Sequence, residues 1–269
     1  MSKEVNSSLI ISTYNWPQAL QLCLYSVMQQ YILPSEVIIA DDGSGEETFA
    51  IIEHFKPNFP VPLIHCWHHD DGFKLAQIRN KAMAIAKGEY IIQIDGDIIL
   101  HPFFIKDHLH IAEENHFVTG SRILLNEKTT RSLFIENKIN YHFLQRKGKN
   151  FFNRLRFVFL QDLLSKRYKT RGKHLYDVKG CNMAFWKKDI IRVNGYDESF
   201  TGWGREDSDI AIRLINAGVQ KKFLKFGGIQ YHLYHKEADR NSLNTNNMRM
   251  VASVENKTTS AKLGIKQYL

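Results

Sequence analysis

Two carboxylates end an apolar stretch of the chain. The stretch Tyr90–Ile94 is followed by Asp95 and Asp97, with one glycine between these two acids. A second apolar stretch, Ile98–Leu100, comes next. The isoleucines predict a strand buried on both faces, where two neighbouring acids repel each other unless a cation or hydrogen bonds compensate. Carboxylate oxygens at the carboxyl end of such a strand predict a divalent metal ion. An Asp-Gly turn with solvated acids would be the better interpretation of this stretch alone.

Polar residues also follow three other predicted strands. These clusters are Thr13-Tyr14-Asn15, Asp41-Asp42 and Asp70-Asp71. Because ligands bind beyond the carboxyl ends of the strands in parallel sheets, we expect all four clusters to converge on one site. The sequence has neither a Walker loop nor a GxGxxG motif, so it does not indicate P-loop or dinucleotide chemistry.

Strands and helices alternate through the first half of the chain, as is typical of a right-handed parallel sheet. We therefore expect an α/β protein with a Rossmann-like, mostly parallel sheet flanked by helices in three α/β/α layers. Asn15 is expected to cap the first helix, with Pro17 in its first turn, and Gly88 to end the third. The predicted strands cover residues 8–12, 37–40, 62–66 and 90–94, and the predicted helices cover about 17–28, 46–55 and 74–87.

The composition is that of a folded protein in a reducing compartment. Hydrophobic residues make up 43% of the 269 residues, and no apolar run of about 18 residues predicts a transmembrane helix. The first residues lack the pattern of a signal peptide. Cys23, Cys66 and Cys181 are scattered, as expected for free thiols in the cytosol.

Residues 128–173 carry the excess positive charge. Thirteen Lys or Arg residues stand there against Glu136 and Asp162, so the formal charge of +8 arises entirely in this segment. Aromatic and leucine residues recur there at helical spacing, at Phe151, Phe152, Leu155, Phe159 and Leu163. A basic amphipathic helix predicts contact with an anionic membrane surface or with a lipid-phosphate acceptor. An ordinary helix with a solvated basic face is the alternative.

The second half of the chain contains a further group of acids. A strand predicted over residues 178–185 contains Gly180, where a ligand can approach the backbone closely. Glu206 and Asp207 begin a predicted helix just after Trp203, which glycines flank. Acids in a first helical turn complement the helix dipole. With Asp209, three acids stand beside this glycine-flanked aromatic residue, which is more than capping requires.

Together these motifs resemble the family-two glycosyltransferases of the GT-A fold. The resemblance is strongest to the bacterial branch whose C-terminal half is similar to the β-1,4-galactosyltransferases and chondroitin polymerases. The motifs stand in the family's order and reach both ends of the chain, but they exclude the basic segment. They are specific for the fold and the reaction class, not for the sugar. The matching pieces are Ile10–Asn15, Asp41–Ser44, Ala76–Asn80, Asp95–Asp97, Lys179–Phe185, Gly202–Asp207 and Tyr231–His235.

The resemblance implies donor-binding roles for residues of the first half. Thr13-Tyr14-Asn15 would hold the nucleotide of a UDP-sugar, and Asp41 would read the uracil edge. Asp71 and Arg79 would support the base and the diphosphate. Asp95 would contact the ribose or the water shell of the metal.

The resemblance also implies a metal site. Asp97 would ligate Mn²⁺ or Mg²⁺ directly, and a histidine after the last strand would complete the site. His235 matches best, and His232 is the second candidate. The sequence alone does not choose between them.

The resemblance implies acceptor-binding and catalytic roles for residues of the second half of the chain. Trp203 would form a platform under a sugar ring, with Gly180 and Asn182 also at the substrate. Asp207 would be the general base, and Glu206 would position the acceptor hydroxyl.

The implied enzyme is a metal-dependent inverting glycosyltransferase that builds a surface polysaccharide. It would move a sugar from a UDP-sugar to a glycan or lipid-linked acceptor, in the cytoplasm or peripherally at the inner face of the membrane. Arg205 stands where a second glycine is common, which would narrow acceptor access or add a phosphate contact. We expect a nucleotide-sugar-binding half at 1–125, a basic insertion at 126–174, an acceptor and catalytic half at 175–240 and a tail at 241–269.

Three other functions account for part of the sequence. A transferase acting on proteins or soluble glycans would use the same site without membrane contact. A nucleic-acid-binding protein would use the basic segment and bind with a steep salt dependence. It would leave Asp95, Asp97 and Asp207 unexplained, so we expect no nucleic acid. A pseudoenzyme or interaction module on the same fold is disfavoured by the intact acidic motifs.

Overall fold

The computed structural model describes residues 5–236 and 239–269, so Glu237, beside the predicted histidines, lies outside it. No helix among the described residues combines the length and the apolar character needed to cross a bilayer. The strands are β1 Ser7–Thr13, β2 Glu36–Asp41, β3 Leu63–Trp67, β4 Tyr90–Asp95, β5 Ile98–Leu100, β6 His116–Gly120, β7 Ile123–Leu124, β8 Met183–Trp186, β9 Gln220–Leu224 and β10 Gln230–His232. The helices are α1 Pro17–Met28, α2 Glu46–Phe55, α3 Leu75–Ile85, α4 Phe104–Ile111, α5 Glu127–Glu136, α6 Tyr141–Leu144, α7 Val158–Ser165, α8 Lys187–Arg192, α9 Glu206–Asn216 and α10 Leu243–Glu255.

A seven-stranded sheet with the order β3-β2-β1-β4-β8-β6-β9 forms the centre of the fold. The strands β1 to β4 run parallel, whereas β8 is antiparallel to both of its neighbours. A smaller sheet has the order β5-β10-β7. Helices pack on both faces of the large sheet. The predicted three-layer, mostly parallel architecture is therefore confirmed.

Alternate residues of β1 pack into two different cores. Leu9 and Ile11 belong to the core that contains Leu20 of α1, whereas Ile10 belongs to the opposite core with Ile78 of α3. Successive side chains of a strand point to opposite faces of the sheet. Because helices cover both faces, the strand must be apolar throughout, which is why the central strands are continuous hydrophobic runs.

The register of the parallel strands aligns their carboxyl ends. Ser12 of β1 lies opposite Asp95 of β4, Thr13 lies opposite Asp41 of β2, and Asp41 lies opposite Trp67 of β3. The polar residues that follow these strands therefore leave the sheet at one edge, as predicted.

Two predicted helix ends are wrong, because Asn15 and Gly88 make tertiary contacts instead of capping α1 and α3. The helix α1 has no side-chain cap, and the Asn15 side chain instead accepts a hydrogen bond from the Gly45 amide at 2.9 Å. The helix α3 is terminated by Ala86 in an extended conformation, not by Gly88. A Cβ at Gly88 would lie 2.5 Å from the Ser8 amide nitrogen. Close approach to β1 requires this glycine.

The basic segment does not form the single amphipathic helix that the sequence predicts. A 3₁₀ turn at Phe151–Arg154 is separated from α7 by extended backbone. In this stretch Arg156 donates to the buried Asp107 carboxylate at 2.7 to 3.1 Å, and the Phe157 amide donates to the Phe226 carbonyl at 3.0 Å. A buried carboxylate requires such a partner, so the ion pair outweighs local helical propensity.

Candidate active site

Hydrogen bonds join the loops that follow β1, β2 and β3. The Tyr14 hydroxyl donates to Asp70 Oδ2 at 2.9 Å, and the Asn15 amide donates to Ser44 Oγ at 2.8 Å. Thr13 is nearly buried beside them, whereas the Tyr14 ring is half exposed. Three of the four predicted clusters thus meet through direct contacts at the edge of the sheet.

Asp41 is fully buried at the end of β2. Its Oδ1 accepts a hydrogen bond from the Ser44 amide at 2.8 Å, and its Oδ2 lies 2.8 Å from His65 Nε2. Both carboxylate oxygens are therefore engaged by protein groups. Its contact with uracil stays a prediction.

Asp42 is a site residue whose individual role the sequence analysis missed, although it named the Asp41-Asp42 cluster. It accepts a hydrogen bond from the Lys74 amide at 2.9 Å and lies 2.8 Å from His68 Nε2, and burial raises its pKa. Asp71 is exposed and pairs with the Lys74 ammonium at 2.6 Å, which lowers the pKa of Asp71. Asp42 rather than Asp71 faces the cleft that contains Tyr14. The signal for Asp42 was its place beside Asp41 at a strand end.

The side chains of Asp97, His232 and His235 form one cluster, in which one ligand atom from each lies within 4.8 Å of the others. Nε2 of His232 is 3.5 Å and Nε2 of His235 is 3.3 Å from Asp97 Oδ2. The pairing of β10 with β5 explains this proximity, because it places His232 opposite Ile98, the residue after Asp97. The two histidines between which the sequence could not choose both belong to the cluster.

The hydrogen bonds of this cluster fit a divalent cation. Nδ1 of His232 lies 2.8 Å from the Leu233 carbonyl, and Nδ1 of His235 lies 2.7 Å from the Lys236 carbonyl. Because a carbonyl oxygen can only accept, Nδ1 of each histidine carries a proton and each Nε2 faces Asp97. In the neutral imidazole, Nε2 would offer its lone pair to a metal ion. Asp97 Oδ1 is buried without a hydrogen-bond partner among the described residues. Two imidazole nitrogens and an unsatisfied carboxylate oxygen are ligands for a divalent metal.

Arg79 connects the acids of the two halves of the chain. Its terminal nitrogens donate to Asp95 Oδ1 at 2.9 Å and Glu206 Oε1 at 3.2 Å, and its Nε donates to Ser12 Oγ at 3.1 Å. Burial disfavours the charge of Arg79, but Tyr196, Asp95 and Glu206 together raise its pKa. With its nitrogens engaged by protein groups and 1% of its surface exposed, Arg79 positions the two carboxylates.

Glu206 and Asp207 begin α9, as the sequence predicts. Asp207 accepts hydrogen bonds from the Gly180 amide at 2.9 Å and the Ser208 amide at 2.7 Å. Burial, and next the charge of Asp207, raise the pKa of Glu206 to about 7. Near neutral pH, Glu206 can therefore donate a hydrogen bond while Asp207 accepts one. A carboxyl group that is protonated near neutral pH can serve as a hydrogen-bond donor to a substrate.

A turn, not a strand, presents Gly180. The strand predicted over residues 178–185 begins only at Met183, and a backbone hydrogen bond from Asn182 to Lys179 at 2.8 Å closes the preceding turn. The Gly180 amide is therefore not committed to a neighbouring strand and can bind Asp207.

Asn182 lies outside the clefts of the site. It is fully buried, and its amide donates to the carbonyls of Ser121 at 2.8 Å and Gly228 at 3.2 Å. Its oxygen lies 2.9 Å from His108 Nε2. Because the Asn182 oxygen can only accept, Nε2 of His108 must carry the proton. Asn182 links the end of β6 to the core, and its predicted contact with the substrate stays a prediction.

We expect His108 to make folding sensitive to acid. Burial lowers its pKa from 6.5 to about 4. As the pH falls from 6.5 towards 4, the unfolded chain takes up a proton that the folded chain excludes, so about 3 kcal/mol of stability is lost in this window. His108→Gln keeps the donor to Asn182 and should remove this loss. Urea unfolding between pH 7 and 4 measures it, with His142→Gln on the surface as control, and parallel curves for wild type and H108Q would contradict the prediction.

Two adjoining clefts contain the site residues. The Asp97 cleft has a volume of about 420 Å³ and includes Thr13, Tyr14, Asp42, Asp97, His232 and His235. The Asp207 cleft has a volume of about 690 Å³ and includes Gly180, Glu206 and Asp207. A molecule that spans both clefts would pass the side chains they share, which are Leu75, Asp95, Arg122, Trp203 and Arg240.

Arg122 is a second site residue that the sequence analysis missed. It lies two residues beyond β6 and lines both clefts. Its guanidinium lies 3.8 Å from Cys181 Sγ. Burial opposes its charge, but Cys181, Asp95 and Asp97 raise its pKa. Its position beyond a strand end was the available signal. A fixed cation beside Asp97 favours an anionic ligand there.

The sheet, the cluster of Asp97 with two histidines and the acids at the start of α9 together form the arrangement of a GT-A glycosyltransferase. Residues 8–190 match glycosyl transferase family 2, and the chain belongs to that family. Residues 164–236 also match the N-terminal domain of galactosyltransferase, which confirms the resemblance of the second half.

Curated relatives include synthases of polysaccharides. The chain is 26% identical over 247 residues to a chondroitin synthase of Escherichia coli, covering 84% of this chain and 34% of that protein. It is 28% identical over 254 residues to a hyaluronan synthase of Pasteurella multocida, covering 87% of this chain and 25% of that protein. The chain thus spans about a quarter to a third of the length of these relatives.

Solved structures share the fold at low sequence identity. Residues 1–349 of Staphylococcus aureus TarS, in complex with UDP-GlcNAc, match with a TM-score of 0.65 and 14% identity over 98% of this chain and 69% of that chain. A mannosyltransferase from Pyrobaculum calidifontis, in complex with GDP-Man and Mn²⁺, matches with a TM-score of 0.61 and 15% identity over 95% of this chain and 64% of that chain.

Proposed function

We propose that this chain transfers a sugar from a UDP-sugar to a hydroxyl group of a glycan or lipid-linked saccharide during synthesis of a surface polysaccharide. One observation carries the proposal. The cleft that contains Asp97 and its two histidines shares a wall with the cleft that contains Asp207. The chondroitin and hyaluronan synthases among the relatives support a polysaccharide product, and the UDP-GlcNAc complex of TarS supports a UDP-sugar donor.

The Asp97 cleft would bind the donor. Asp97, His232 and His235 would hold Mn²⁺ or Mg²⁺, which when bound neutralises negative charge on the diphosphate leaving group. Thr13, Tyr14 and Asp42 border the same cleft and would hold the nucleotide together with the neighbouring Asn15. In this proposal residues 1–125 form the nucleotide-sugar-binding half.

The Asp207 cleft would bind the acceptor. The Gly180 and Ser208 amides hold the Asp207 carboxylate in place, where it would remove the acceptor proton as the hydroxyl oxygen attacks the anomeric carbon. Glu206 would orient that hydroxyl, and the Trp203 ring would lie under a sugar. A single displacement inverts the anomeric centre, so an α-linked donor would give a β-linkage.

A donor screen tests the proposal. UDP-glucose, UDP-galactose and their N-acetyl forms are incubated with the chain, with Mn²⁺ or with EDTA, and released UDP is measured. We expect release from at least one donor with Mn²⁺ and none with EDTA, and GDP-mannose serves as the nucleotide control. Absence of release from every donor would favour a pseudoenzyme on the same fold.

We also propose that the basic segment contacts an anionic membrane at the inner face of the cell membrane. Apolar side chains project from α7 and from the residue before it: Phe157 is 49%, Phe159 77% and Leu163 43% exposed. Lys166 and Arg167 follow directly on the surface. Aromatic and leucine side chains next to cations are the composition of an interfacial membrane contact.

Liposome flotation should detect this contact. We expect the chain to float with anionic vesicles and not with neutral ones. Replacing both Phe159 and Leu163 by Ser should weaken binding by roughly tenfold or more, because each buried apolar side chain contributes about 1.5–3 kcal/mol. Met248→Ser on α10, which removes a 66% exposed apolar residue outside the basic segment, is the control. Equal flotation of the double variant and the wild type would contradict the contact.

A further inference from the structure

Arg205 has a backbone conformation that glycine adopts more easily. Its φ is +79°, directly before α9, and the φ values of Gly202 and Gly204 just ahead of it are also positive. A residue with a Cβ loses free energy in the left-handed region, whereas glycine does not. Strained backbone of this kind concentrates at functional sites. An arginine at a position suited to glycine therefore suggests that the side chain has a function.

A neighbouring helix holds the Arg205 side chain. Its Nε donates to Asn247 Oδ1 on α10 at 2.6 Å. The adjacent Asn246 is buried and donates to the carbonyls of Thr201 at 3.2 Å and Gly204 at 2.9 Å. Through these contacts α10 fixes both the loop before Arg205 and the direction of its guanidinium.

The guanidinium borders the Asp207 cleft, which six basic and four acidic side chains line. Some of these cations are committed to acids: Arg79 pairs with Asp95 and Glu206, and Lys179 pairs with Asp177. In the described part of the chain, Arg205 forms no ion pair, and its hydrogen bond goes to a neutral amide. A neutral sugar needs hydrogen bonds but no unpaired cation, so the charge of this cleft favours an anionic occupant.

We propose that Arg205 recognises an anionic group on the acceptor, an inference that rests on the proposed transfer reaction. With Nε held by Asn247, the two terminal nitrogens can donate in parallel to two oxygens of one carboxylate or phosphate. The anion is the carboxylate of a uronic acid in a glycan or the phosphate of a lipid-linked saccharide. Arg205 determines specificity, and Asp207 beside it performs the proton transfer.

Titration calorimetry with two matched pairs of acceptors tests this inference. The first pair is a tetrasaccharide containing glucuronic acid and the same tetrasaccharide after carboxyl reduction. The second is an alkyl-diphosphate-linked N-acetylglucosamine and the corresponding uncharged alkyl glycoside. Each is titrated into protein supplied with UDP and Mn²⁺. The variants are Arg205→Gln, Arg205→Lys and Arg205→Gly. Glycine suits the positive φ of this position best. The control is Arg131→Gln, which replaces an exposed arginine on α5.

The wild type should bind the charged member of one pair at least about tenfold more tightly than its uncharged partner. R205Q and R205G should abolish this preference, R205K should retain part of it, and R131Q should retain all of it. The pair that shows the preference identifies carboxylate or phosphate as the anion. Equal affinities in both pairs, no binding of any acceptor, or a preference that survives in R205Q would overturn the inference.

UDP release, measured in parallel, separates this inference from the transfer reaction. Failure to release UDP from any donor counts against the proposed reaction. A missing charge preference in binding counts against the role of Arg205.

Discussion

Asp207→Asn should lower kcat about 10³-fold, within the range of 10² to 10⁴ that a general base contributes. The amide has nearly the shape of the carboxylate but cannot take the acceptor proton. Since Asp207 lines the adjoining cleft and not the cleft of the Asp97 cluster, the affinity for UDP with Mn²⁺ should stay within about twofold of the wild type. Steady-state transfer rates and UDP titration measure the two effects separately.

The control for this prediction lies in the same cleft. Asp177 borders it and pairs with Lys179 at 3.3 Å. Asp177→Asn applies the same chemical change without removing the base, and we expect it to keep at least about half of the wild-type kcat. If D207N kept wild-type turnover, or if both variants lost activity equally, Asp207 would not be the base.

Asp97→Ala should abolish metal-dependent binding of UDP. It removes the carboxylate that lies between the Nε2 atoms of His232 and His235, and loss of a direct ligand should weaken metal affinity about 100-fold or more. The fold should tolerate the change, because the Leu233 amide donates to the backbone carbonyl of Asp97 at 3.0 Å and not to its side chain. Calorimetry with Mn²⁺ and UDP, with EDTA as the metal-free reference, measures the loss.

A surface pair of the same type provides the control. Asp162 lies 3.0 Å from His110 and its side chain is 60% exposed. Asp162→Ala therefore removes an Asp–His contact away from both clefts, and UDP binding should be unchanged. Unchanged metal affinity in D97A would contradict the assignment of Asp97 as a ligand.

The sheet and its polar edge could be predicted from the sequence because both follow from local patterns. Continuous apolar runs such as Ile91–Ile94 identify strands covered on both faces, and β4 extends over Tyr90–Asp95. Parallel strands present their carboxyl ends together, so the loop acids had to meet. The same reasoning indicated the acids of the α9 start and their neighbour Trp203.

Local patterns failed where a distant partner decided the conformation. Arg156 leaves the predicted amphipathic helix because the buried Asp107 carboxylate, 49 residues earlier, requires a cation. Asn182 belongs to a sequence motif, but hydrogen bonds to the carbonyls of Ser121 and Gly228 hold its side chain in the protein interior. Helical spacing and motif position contain no information about such partners.

By itself, the sequence determined the α/β architecture, the edge of the sheet where the polar clusters gather, and the acids Asp97 and Asp207 as candidates for metal binding and base catalysis. The tertiary structure decided that both His232 and His235 join Asp97, that Arg79 is engaged with Asp95 and Glu206, and that Arg122 lines both clefts. The physical reason is the distance along the chain over which each kind of interaction acts. Strand and turn preferences act over a few residues, whereas these ion pairs and shared clefts form when packing joins segments that are distant in the chain, such as Arg79 and Glu206, which are 127 residues apart.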